Sequence, residues 1–253
     1  MQATTIDEVL QLLDEIILKA RTEPNRLGYF AALYRRITAA VKEGMVNHMF
    51  QDEKLVEQFD VVFANFYFEA LTAYQQGQPL SEPWRITFHA AESWQPGLVQ
   101  HILAGMTAHV YLDLGVAAAT VCPGDRIHRL KPDYDKINEV LDMIGTRAMT
   151  KGGKQMKVME FFGTLITRLG KSFSNIDALG VQHTREKIWQ TAERLAYFDE
   201  ATRNAEILSM QKNVAKSVSR IVKPFLPLRA VLILSRLINR KRIPQMIDAI
   251  LNF

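Results

Sequence analysis

Cysteine is what this chain has least of. Cys122 is the only one among 253 residues, so no disulfide can form within it. A chain of this length buries enough apolar surface to fold without one. A lone thiol suits a reducing compartment, and a cytoplasmic protein is expected. The opening stretch, MQATTIDEVLQLLDEII, lacks the basic start and apolar core of a signal peptide. No segment alternates apolar and polar residues with period two, so no sheet is expected. Repeats, low-complexity tracts and the HExxH, CxxC and EF-hand patterns are also missing, and Gly152-Gly153-Lys154 lacks the spacing of a phosphate loop. Cys122 has no histidine near it in sequence to activate it as a nucleophile. Acid is scarce towards the end. Across 205–253, nine lysines and arginines meet only Glu206 and Asp248, so the formal net charge of +4 belongs to that tail and the rest is net negative. The tail's only aromatics are Phe225 and Phe253. Without a basic body or rings on which bases could stack, no nucleic-acid partner is expected.

What remains is helical patterning. Thr5-x-x-Glu8 is a capping box, and Ile6, Val9, Leu10, Leu13, Ile16 and Ile17 follow at helical spacing. Pro24 stops that helix. Further helices are predicted over 27–44 and 53–76, the latter ending at Gly77 and Pro79. Pro83 opens a short segment with Trp84 and Trp94. Pro96-Gly97 starts a long apolar helix that ends before Cys122-Pro123-Gly124, and Pro132-Asp133 opens one over 134–149. The pattern then gives 155–169, 181–208, 212–223, 228–239 and 244–251. The expected fold is all-α, a multi-helix bundle of about nine or ten helices around a central apolar helix. Residues 1–253 are read as one domain, with Gly152-Gly153 a possible subdomain hinge.

Two helices carry polar residues where burial is expected. FDVVFANFYFEAL is apolar nearly all round, so Asp60 and Asn65 need partners inside. In the long helix, whose apolar length is read as a buried core helix rather than a membrane span, His101, Gly105, His109 and Asp113 recur every fourth position and form one ridge. Histidine and carboxylate on facing helices are how bundles hold metal ions, and Gly105 leaves room for a ligand or a neighbouring helix. The same residues also suit a structural network, with Asp113 fixing the tautomer of His109 and His101 satisfying a backbone carbonyl.

Asp133, Asp135 and Asn138 suit a helix start. Arg35, Arg36 and Arg85 could pair with carboxylates or hold an anionic substrate, and Arg185 and Trp189 could stack at i and i+4. The segment 212–253 is basic and amphipathic. It fits either a helix on an anionic membrane surface, on the inner face, or a last helix packed on the body.

FDVVFANFYFEAL, PWRITF, LVQHILAGMTAHVYLDLGVA and PDYDKINEVL together resemble an uncharacterised bacterial family of helical proteins, a domain of unknown function. Its pattern, H-x-L-x-G-M-N-A-H-I-x-x-D-L, is carried here by His101, Leu103, Gly105, Met106, Ala108, His109, Asp113 and Leu114, with Thr107 in place of Asn and Val110 in place of Ile. REKIWQTAERL is similar to a later family segment. AHVYLDLGVA is also similar to the H-x-x-x-D stretch of the zinc-dependent phospholipase C and P1 nuclease group, a likeness that implies zinc ligation by His109 and Asp113.

Two functions are expected from these readings. One is a metal-dependent hydrolase of phosphoesterase type. There His101, His109 and Asp113 hold a divalent ion such as zinc, and Asp60 and Asp133 are the catalytic carboxylates. The other is a non-enzymatic helical protein that binds an apolar ligand or an anionic membrane surface through 212–253.

Overall fold

The computed structural model describes residues 1–150, 181–224 and 242–252, and among these there is no strand. The hinge at Gly152-Gly153, the predicted helices over 155–169 and 228–239, and most of the basic tail's arginines lie outside the described residues.

The N-terminal half forms four helices: α1 (Ile6–Thr22), α2 (Leu27–Val46), α3 (Glu53–Gln75) and α4 (Glu82–Glu92). The Thr5 hydroxyl accepts from the Glu8 N–H, but Glu8 reaches past Thr5 to the backbone and hydroxyl of Thr4, both at 2.7 Å. Gly77 ends α3 with φ of +66°, a conformation that costs a side-chain-bearing residue energy.

The long apolar stretch forms α5 (Leu98–Ala108) and α6 (Leu114–Val121), joined without a break by a π-helical turn at His109–Asp113. By length and composition this run could cross a membrane, yet 67% of its most apolar window is buried in the bundle. It packs against α2, α3 and α4, and so takes the central place expected of it.

α7 covers Ile127–Thr150. It begins before the predicted start at Pro132-Asp133, and Pro132 sits inside it. The stretch read as one helix over 181–208 is two, α8 (Val181–Tyr197) and α9 (Glu200–Val222), the latter absorbing the helix predicted over 212–223. Asp199 makes the break by accepting from both the backbone and the hydroxyl of Thr202, at 2.8 and 2.9 Å. Arg203 donates to the carbonyls of Leu195 and Phe198 at the end of α8. An aspartate cap three residues before a threonine, with an arginine one residue on, outweighed the continuing apolar period.

α10 (Ile243–Leu251) packs on α1 and α2. Ile247 and Ile250 are buried, and Gly28 lets Ile247 approach so closely that an added Cβ would lie 2.6 Å from its Cδ1. Arg36 donates to the last carbonyls of α10, those of Ile250 and Leu251, and Arg21 pairs with Asp248. Residues 212–222 belong to α9, which packs on α4 and α5. Both described ends of the basic segment therefore lie on the body.

Candidate functional site

The site is built around the π turn. One extra residue in the turn shifts the hydrogen-bond register, so that the Leu114 N–H donates back to the His109 carbonyl. Such turns often mark functional positions in helices. Here the turn puts His109 and Asp113 side by side in the interior, with Nδ1 of His109 2.9 Å from Oδ2 of Asp113. The indole N–H of Trp84, on α4, donates to that same oxygen at 2.9 Å.

The tautomer follows from these contacts. An indole N–H can only donate, so Oδ2 of Asp113 is an acceptor. With the Asp113 carboxylate ionised, the His109 Nδ1 facing it is the donor. Burial holds the imidazole below its ordinary pKa, against the opposing pull of Asp113, so it stays neutral. Its Nε2 therefore carries a lone pair. This nitrogen is buried and finds no hydrogen-bond partner among the described residues.

Aromatic rings enclose His109. Phe63 of α3 stacks flat on it at 3.7 Å. Tyr34 of α2 meets it edge-on at 4.8 Å, and Phe30, Trp84 and Tyr67 stand 5.8 to 6.1 Å away. The hydroxyls of Tyr34 and Tyr67, Oδ2 of Asp60 and the hydroxyl of Thr38 are also buried without a partner among the described residues.

Asp60, Phe63 and Tyr67 lie at i, i+3 and i+7 on α3, and Tyr34 and Thr38 at i and i+4 on α2. Each set thus shares one helix face. Burial, with the charge of Glu57, pushes the Asp60 carboxyl up to about 7. Burial raises the Tyr34 phenol well above its ordinary value, and the charges of Asp60 and Asp113 add to this. Burial likewise raises Asp113, opposed by the hydrogen bonds from His109 and Trp84.

The model of the Family of unknown function (DUF5995) matches residues 6–224. The chain belongs to this family. No curated protein and no solved structure matches it.

In this DUF5995 chain the predicted ridge is divided. His109 and Asp113 come together, but His101 lies two turns away, with Nε2 3.1 Å from the Pro96 carbonyl and its ring against Tyr29. The room beside Gly105 is taken by Phe30: a Cβ on Gly105 would lie 2.5 Å from that ring. Asp133 belongs to a different place. It is 1% exposed, and its two oxygens accept the backbone N–H groups of Gln51 and Asp52 at 2.7 and 2.9 Å, which fixes the entry to α3. The described residues bring together no group of three or more His, Cys, Asp or Glu side chains able to hold a metal ion.

The arginines singled out in the sequence are surface or capping groups: Arg35 pairs with Asp14, Arg85 with Glu82, and Arg36 caps α10. Trp189 packs against Tyr134 with the Lys131 ammonium over its ring, while the Arg185 side chain lies outside the description. Burial raises the thiol of Cys122, which keeps it inert.

The sequence reading missed Tyr34, Phe63, Tyr67 and Trp84. A signal for two of them was present: Asp60 sets the face of α3 on which Phe63 and Tyr67 recur. Trp84 carried no such mark, because its partner lies on another helix.

Proposed function

We propose that the interior between α2, α3 and the π turn is a binding site for a small polar molecule, held by Nε2 of His109 and the carboxyl of Asp60. The observation that carries this reading is the group of buried polar atoms without partners among the described residues. Nε2 of His109, Oδ2 of Asp60 and the hydroxyls of Tyr34 and Tyr67 all belong to side chains of one neighbourhood. Each unsatisfied buried group costs about 1–3 kcal/mol, and groups that weaken a fold in this way collect where a ligand will satisfy them. The Asp113–His109 hydrogen bond, itself held by Trp84, sets the imidazole so that its basic nitrogen is presented to the ligand.

A metal-dependent hydrolase draws on the same atoms. Nε2 of His109 and Asp60 would be its first ligands, and Asp113 would orient the imidazole from behind, as carboxylates do for metal-bound histidines. A third ligand of the usual type is what that reading needs, and the placement of His101 and Asp133 supports the metal-free site better.

The test is the double variant Tyr34→Phe/Tyr67→Phe, followed by urea unfolding. Removing two hydroxyls that have no partner should leave stability unchanged or raise it by about 1 kcal/mol. A loss of more than about 1 kcal/mol would make the hydroxyls part of the structure and remove the basis for a ligand.

A further inference from the structure

We infer that the ligand of this site is a small organic cation, a protonated primary amine, held by Asp60, His109 and Tyr34 within the aromatic surround. The inference rests on the binding-site reading above and adds the chemical class of the ligand.

The waiting atoms define what must arrive. Nε2 of His109 can only accept, because Trp84 and Asp113 fix its tautomer. Oδ2 of Asp60 accepts whenever the carboxyl is ionised, and the Tyr34 and Tyr67 hydroxyls can accept as well as donate. A ligand that brings several hydrogen-bond donors on one atom can satisfy His109, Asp60 and a tyrosine oxygen together. A primary ammonium brings three, whereas an alcohol brings one.

Charge points the same way. Among the described residues, the charges that act most strongly on Tyr34, Asp60 and His109 are carboxyls: Asp60, Asp113 and Glu57. A phosphate or carboxylate ligand would face the carboxyls of Asp60 and Asp113 in a low-dielectric interior. A cation would instead meet the Asp60 carboxyl beside electron-rich aromatic rings.

The experiment is a thermal-unfolding series on the full chain at matched ionic strength, with methylammonium chloride, sodium phosphate, zinc chloride and sodium chloride as probes. Methylammonium should raise the melting temperature above the sodium chloride control, since a ligand that binds only the folded state stabilises it. In Asp60→Asn its affinity should fall about tenfold or more, the loss expected when a charged hydrogen-bond acceptor is replaced by a neutral one.

Isothermal titration in buffers of different ionisation enthalpy adds a second readout, because the cation should expel the proton of Asp60. Stabilisation by phosphate or zinc without methylammonium would overturn the inference. So would a methylammonium effect that survives Asp60→Asn, or no response to any probe. In each of these cases the double tyrosine variant decides separately whether the site itself stands.

Discussion

Asp133 and Asp60 are both buried aspartates on helices, one 1% and the other 7% exposed. Asp133 accepts two backbone N–H groups, one on each oxygen, at the point where the chain enters α3. Asp60 lies two turns along that same α3 and has an oxygen with no donor among the described residues, and burial lifts its carboxyl to about 7. Burial alone therefore does not distinguish a carboxylate the fold satisfies from one the described residues leave unsatisfied. What distinguishes them is whether the fold supplies the donors. The same contrast separates the two histidines of the apolar helix: His101 is held by the Pro96 carbonyl, while His109 is held at one nitrogen and open at the other.

The largest effect should come from the satisfied side of this comparison. Asp133→Ala leaves two backbone N–H groups without acceptors inside the fold, and should lower the unfolding free energy by about 3 kcal/mol in urea titration. An unchanged midpoint would mean that water replaces the carboxylate there and that the contrast with Asp60 is not real.

A smaller effect is expected behind His109. Trp84→Phe keeps most of the packing but removes the donor that makes Oδ2 of Asp113 an acceptor, and should cost about 2 kcal/mol. It should also leave the imidazole a mixture of tautomers, read from the ¹⁵N shifts of His109. A pure Nδ1–H tautomer in that variant would show that Asp113 needs no help from the indole.

Much of this fold is legible in the sequence, because period and caps act locally. The capping Thr5, the stops at Gly77 and before Pro24, and the central apolar run all follow from neighbours within a few residues. The errors are local as well. The apolar period continues through residue 198, where Asp199 and Arg203 nonetheless split the helix. Pro132 suggests a helix start because its ring suits a first turn, yet α7 begins at Ile127 and carries the proline inside.

The site was legible only in part, for a different reason. His109, Asp113 and Asp60 stand out as polar groups in apolar helices. Which of them meet depends on the π turn and on rings from α2 and α4, and neither leaves a mark in spacing. An ideal α-helical ridge joined His101 to His109, and the structure parts them.

The measurement closest to the central claim is the pH dependence of stability in Asp60→Asn. The Asp60 carboxyl rises from an ordinary 3.8 to about 7 in the folded protein, so folding favours its protonated form. The wild type should then be most stable below pH 3.8 as far as this group is concerned, losing that contribution as pH rises through about 7. Asparagine cannot ionise, so the variant should lack this part of the pH dependence and be more stable than the wild type well above pH 7, by an amount on the order of 2 kcal/mol. A variant that is less stable there would mean that the ionised Asp60 has a structural partner, and would contradict the account.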